Sequence, residues 1–150
     1  MNLADIFQNH VLLTGLSGWI LAQALKIPID LFQSRHWNWA LFFAAGGMPS
    51  SHSALVTSTA MAVGLHYGFG DPLFGVATAM AMIVVYDATG IRRQAGMQAQ
   101  KINILVEELL KGHPISEEHL REVLGHTPLE ALGGVLLGLA IALVLWILWR

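Results

Sequence analysis

Two short segments of this 150-residue chain set a histidine beside groups suited to handling an anion. In Gly46-Gly47-Met48-Pro49-Ser50-Ser51-His52-Ser53, glycines permit close backbone approach. Hydroxyls and free N–H groups at a helix start can cradle phosphate oxygens. A histidine there can give a proton to a leaving oxygen at neutral pH. The same residues also read as a Gly-Pro turn followed by a serine N-cap, with His52 merely polar. In Gly125-His126-Thr127-Pro128-Leu129-Glu130 a carboxylate follows a histidine by four residues. At that spacing it can hold one ring nitrogen and leave the other nucleophilic. Glu130 reads equally as the partner of Thr127 in a capping box, and a carboxylate with two oxygens can serve both roles.

A third segment, Tyr86-Asp87-Ala88-Thr89-Gly90-Ile91-Arg92-Arg93, joins an acid to paired arginines. Arginine forks suit phosphate oxygens, although arginines also flank membrane helices as topology signals. Lys26 carries the same double reading. A carboxylate near a span needs a partner, and Arg92 and Arg93 are the candidates for Asp87. His10, His36, His66, His113 and His119 show no site pattern and read as interfacial or solvated.

The elements that must position these groups are membrane helices. The chain is 55% hydrophobic and 12% charged, against about 25% charged in soluble domains, with mean hydropathy +0.57. A formal charge of -2 without a basic aromatic patch argues against nucleic acid. With no cysteine, disulfides and thiolate metal sites are excluded; neither metal nor cofactor is expected. The opening MNLADIFQNH lacks a basic n-region and cleavage site, so the first apolar run is expected to stay as a helix.

We expect a single all-α membrane domain with spans near 3–25, 53–69, 72–86 and 129–149. The stretch from Trp37 to Ala45 is too short to cross and suits a re-entrant or interfacial segment. Asp71-Pro72 and Thr127-Pro128-Leu129-Glu130 are helix starts. Apolar residues Ile102, Leu105, Val106, Leu109 and Leu110 recur at helical spacing, predicting an amphipathic helical hairpin over about 92–124. Gly112-His113-Pro114 would end its first helix and Gly125 its second. Gly134 and Gly138 would let another helix come close, which makes a homodimer through small-residue faces a further expectation.

Four crossings place both termini on one side. The other side then holds Lys26, Arg35, Arg92, Arg93, Lys101, Lys111 and Arg121, against Arg150 alone. The positive-inside rule makes the charged side cytoplasmic. It also gathers Lys26, His52, Asp87, His126 and Glu130 at one depth.

Taken together, GGMPSSHSA, YDATGIRRQAG, the polar helix with Lys101 and Asn103, and LGHTPLEALGG resemble the divergent branch of the type-2 phosphatidic acid phosphatase family, related to acid phosphatases and vanadium-dependent haloperoxidases. The resemblance runs from about Leu21 to Gly138, with the motifs in the expected order. Pro49, Ser50 and His52 match the superfamily's Pro-Ser-Gly-His motif, with Ser51 in place of glycine; His126 and Glu130 match its His-x3-Asp pair, with Glu for Asp. The resemblance implies His126 as a phosphohistidine-forming nucleophile, Glu130 as its orienting group, His52 as acid, and Ser50, Ser51 and Lys26 on phosphate. The Lys-x6-Arg-Pro motif is not intact, since Gln33 follows Lys26 by seven. Leu120 stands six before His126, with Arg121 one residue off register, so the arginine role would pass to Arg92 or Arg93. Asp87, Asn103 and Arg121 would support the site.

The implied activity is phosphate release from a lipid or isoprenoid phosphate in a bacterial plasma membrane, with membrane lipids as surroundings. A non-catalytic phospholipid or phosphate binder using the same cradle is the alternative. A purely structural bundle subunit is a third reading.

Overall fold

A computed structural model describes residues 3–43, 46–109 and 126–150; the side chains of Leu3, Gln33, Ile91, Arg92, Arg93, Glu107, Glu108 and Leu109 lie outside what is described. Among the described residues the fold is all-helical. A 3-10 turn over Leu3–Gln8 precedes α1 (His10–Ser34), and another over Trp39–Phe43 precedes α2 (Ser51–Tyr67). Then come α3 (Pro72–Thr89), α4 (Ile91–Leu109) and α5 (Pro128–Leu148).

Local chemistry sets several of these limits. Asn9 caps α1 by accepting from the Leu12 N–H at 3.0 Å. Asp71 caps α3 at 2.8 Å, with Pro72 in the first turn, where its missing N–H costs nothing. Thr127 and Glu130 close a capping box at the start of α5. α1 differs from the sequence expectation in its extent: it continues through Lys26 and Pro28 to Ser34. Lys26 therefore sits inside a helix and not at its end.

Among the described residues three stretches are long and apolar enough to cross a membrane: His10–Phe32, Pro72–Val106 and Pro128–Leu148. The protein is an integral membrane helix bundle. At its centre is α2, 17 residues long and so about 25 Å, packed against α1, α3 and α5. Small residues make this close packing possible. A side chain on Gly18 would meet the Ala54 carbonyl oxygen at 3.1 Å, and one on Gly138 would meet it at 2.7 Å. The helix that Gly134 and Gly138 admit is α2 of the same chain, since Gly134 lies against Ser50 and Ser53. Two α2 hydroxyls bond within the helix: Ser58 and Thr59 both donate to the Leu55 carbonyl, at 3.0 and 2.8 Å. Hydroxyls bonded in this way avoid most of the cost of burial.

The bundle has two chemically distinct ends. His10 of α1 lies 5.3 Å from His66 of α2 and 4.5 Å from Trp149, ring centre to ring centre, so both ends of the described chain meet there. At the opposite end are the later half of α1, the starts of α2 and α5, and the end of α3. The Trp39–Phe43 turn packs on α1 beside that end with Trp37, Trp39 and Phe43 exposed, as aromatics at headgroup level are. α4 packs on α3 and exposes Ile102, Leu105 and Val106. The second helix expected in the polar insert lies outside the described residues.

Candidate functional site

His126 is the centre of the second end. It is 4% exposed, and its backbone N–H donates to the Ala88 carbonyl at the end of α3, at 3.0 Å. Its Nδ1 lies 2.9 Å from Glu130 Oε2. A carboxylate accepts, so that contact puts the ring proton on Nδ1 and leaves the Nε2 lone pair free in the neutral ring. Nε2 is buried and has no hydrogen-bond partner among the described residues. A buried polar atom without a partner is costly in a structural role. It is what a nucleophile or an anion contact requires.

Glu130 is anchored from several directions. Its Oε2 also accepts from the Thr127 N–H at 3.2 Å, and its own N–H donates to Thr127 Oγ1 at 3.3 Å. Its carbonyl accepts from the Ser50 N–H at 2.9 Å, which ties the start of α2 to the start of α5. Lys26 of α1 is 2% exposed and interacts electrostatically with Glu130. Burying a lone ammonium costs several kcal/mol, and the carboxylate offsets that cost. Gly47, with φ +89°, passes over the Lys26 stem; a side chain there would be strained.

Ser50 caps α2 by accepting from the Ser53 N–H at 3.3 Å, and Ser53 Oγ lies 3.1 Å from Ser50 Oγ. With Ser53 donating, the Ser50 hydroxyl keeps its own proton to donate onward. Ser51 is buried at the first position of α2, where the helix dipole favours an anion. The His52 ring centre is 6.3 Å from that of His126, at an interplanar angle of 58°.

The fold thus brings together His126, Glu130, Lys26, Ser50, Ser51 and His52, drawn from three helices. Asp87 lies next to Ala88 at the end of α3, half-buried. Asn103 is buried on α4, which packs on α3. Arg92 and Arg93 open α4, but their side chains, like Arg121 altogether, lie outside the described residues. One polar residue not singled out from the sequence is Gln23, one turn before Lys26 on α1. It is 5% exposed, and its Oε1 is buried without a partner among the described residues. Its only sequence signal was a polar residue interrupting an apolar span.

A membrane helix bundle with a buried histidine–carboxylate pair at one end defines a class of protein, and comparison of the sequence gives that class a family. The chain belongs to the Divergent PAP2 family, whose sequence model matches residues 7–141. It is also 41% identical, over 94% of its length and 96% of the relative's, to the "Uncharacterized membrane protein YuiD" of Bacillus subtilis (strain 168). No solved structure matches the chain.

Proposed function

We propose that the protein is a phosphoric monoester hydrolase that releases phosphate from a lipid or isoprenoid phosphate at the membrane face. The observation that carries this reading is the His126 ring, fixed through Nδ1 by Glu130 while Nε2 stays buried and unpartnered. In the proposed reaction Nε2 attacks phosphorus, and the bond from phosphorus to the lipid oxygen breaks. His52 gives its proton to the departing alkoxide. Water then attacks the phosphohistidine, its proton passes to His52, the bond from phosphorus to Nε2 breaks, and inorganic phosphate leaves. The Ser50 hydroxyl, the N–H groups opening α2 and the Lys26 ammonium would stabilise charge on the transferring group. Arg92 and Arg93 are further candidates for that task.

The proposed setting is a bacterial plasma membrane with the site facing the cytoplasm. Support comes from the charge asymmetry of the sequence and from a bacterial relative. The test is phosphate release by purified protein from lipid phosphates, with His126→Ala as the control.

One observation favours a second reading, a binder without turnover: Gln33 and Leu120 occupy positions where the superfamily motifs carry arginine. That reading expects saturable phosphate binding, no release, and equal binding by His126→Ala.

A further inference from the structure

A groove of about 910 Å³ runs along the bundle between α2, α3 and α5. Its lining is almost wholly apolar, with Met61 of α2, Ala81 of α3 and Val135 and Leu139 of α5 along its length. The rim residues Met82, Ile83 and Tyr86 are exposed, so the groove opens sideways toward lipid. Along α3 it extends from Phe74 to Thr89. At 1.5 Å per residue that is about 22 Å, most of a hydrocarbon core of roughly 30 Å.

Its two ends differ. At one end Asp87 and Thr89 line it on either side of Ala88, whose carbonyl holds the His126 backbone. At the other end Phe74 meets Phe69 edge to face, with ring centres 5.1 Å apart at 89°. This aromatic pair is seated on Gly64, where an added side chain would come within 3.0 Å of both rings. The groove therefore ends at the residues flanking Ala88, whose carbonyl accepts from the His126 N–H, and is stopped by an aromatic pair at its far end.

We infer that this groove holds the aliphatic chain of the phosphate-bearing lipid, and that Phe74 sets the longest chain it accepts. This rests on the reading of the His126 end as a lipid-phosphate site. An apolar trough that begins beside the backbone contact holding His126, at the bundle end that also carries buried Lys26, matches the shape and charge of a single-chain lipid phosphate. A chain arriving from the bilayer is already in an apolar medium, so burial alone gives little preference. Selectivity comes from fit, and one methylene too many against a fixed wall discriminates by about 10-fold or more. Phe74 acts here as a specificity residue and touches only the chain end.

The test uses alkyl phosphates of graded length carrying a terminal diazirine, photolysed with the full-length protein in vesicles, with phosphate release measured in parallel. Long-chain probes should label the peptide holding Phe69 and Phe74, in competition with unlabelled alkyl phosphate. Phe74→Ala should raise the preferred chain length. Ala81→Phe, which blocks the groove midway, should lower it, and both preferences should move by about 10-fold between neighbouring lengths. Opposite shifts from two variants exclude simple misfolding. Labelling at Phe74 without phosphate release would retain the groove and overturn the hydrolase reading. Release with no labelling in the groove, or with no length shift in either variant, would overturn the groove. Ala81→Cys forming a disulfide between two copies while lipid labelling is lost would also overturn it, by making a second copy the occupant.

Discussion

A single carboxylate oxygen of Glu130 lies 2.9 Å from His126 Nδ1 and 3.2 Å from the Thr127 backbone nitrogen. The cap that starts α5 and the group that orients the imidazole are therefore the same atom. Helix formation and ring orientation are thereby coupled: wherever α5 begins, the His126 ring is set.

Substitutions at Glu130 should separate these two jobs. Glutamine completes a capping box as glutamate does, so Glu130→Gln should keep the cap and, in stability, lose only the carboxylate's attraction for Lys26. It should still cut turnover about 10²–10⁴-fold, because an amide cannot hold the same ring state. Glu130→Ala should lose both cap and turnover. Thermal unfolding in detergent beside phosphate release distinguishes the variants.

The electrostatic interaction between buried Lys26 and Glu130 should appear as a coupling. Lys26→Met leaves a carboxylate without its cation, and breaking a buried pair from one side is destabilising. Adding Glu130→Gln should restore part of that stability. A double-mutant cycle should give about 0.5–3 kcal/mol. Strict additivity would mean that the two residues do not interact.

Packing around α2 makes a contrasting forecast for two glycines. Gly138→Ala would press on the Ala54 carbonyl oxygen at 2.7 Å and the Ser58 nitrogen at 3.0 Å. Backbone cannot give way as a side chain can, so a loss of about 1–3 kcal/mol is expected. Gly75 on α3 has nothing within 4 Å. There alanine should be neutral or stabilising by about 0.5–1 kcal/mol. Melting temperatures of the two variants test this directly.

Membrane orientation can be read by single-cysteine labelling, since the chain has no cysteine of its own. Cysteine at Arg35 or Lys101 should resist an impermeant maleimide in intact cells, and cysteine at Asp5 or Arg150 should react. The reverse pattern would place the site outside.

Several features could be read directly in the sequence because their causes are local. Asp71-Pro72 and the Thr127 to Glu130 box start helices wherever they occur, and both do so here. The gathering of His52, His126 and Glu130 at one end followed from span directions alone. The extent of α1 did not. Lys26 read as the end of the first span, whereas the helix passes through it, and its electrostatic partner Glu130 lies over a hundred positions away in the chain. The partner of Gly134 and Gly138 was equally hidden, because small-residue spacing reports close approach and not which helix approaches. Gln23 looked like a flaw in a span until its burial was visible.

The central claim is that His126 Nε2 is the nucleophile. The most direct measurement traps the protein with a ³²P-labelled lipid phosphate and quenches it under conditions that preserve phosphohistidine. Wild-type protein should carry label on the peptide containing His126 and release inorganic phosphate, while His126→Ala should do neither. Phosphate release that persists in purified His126→Ala protein would contradict the account.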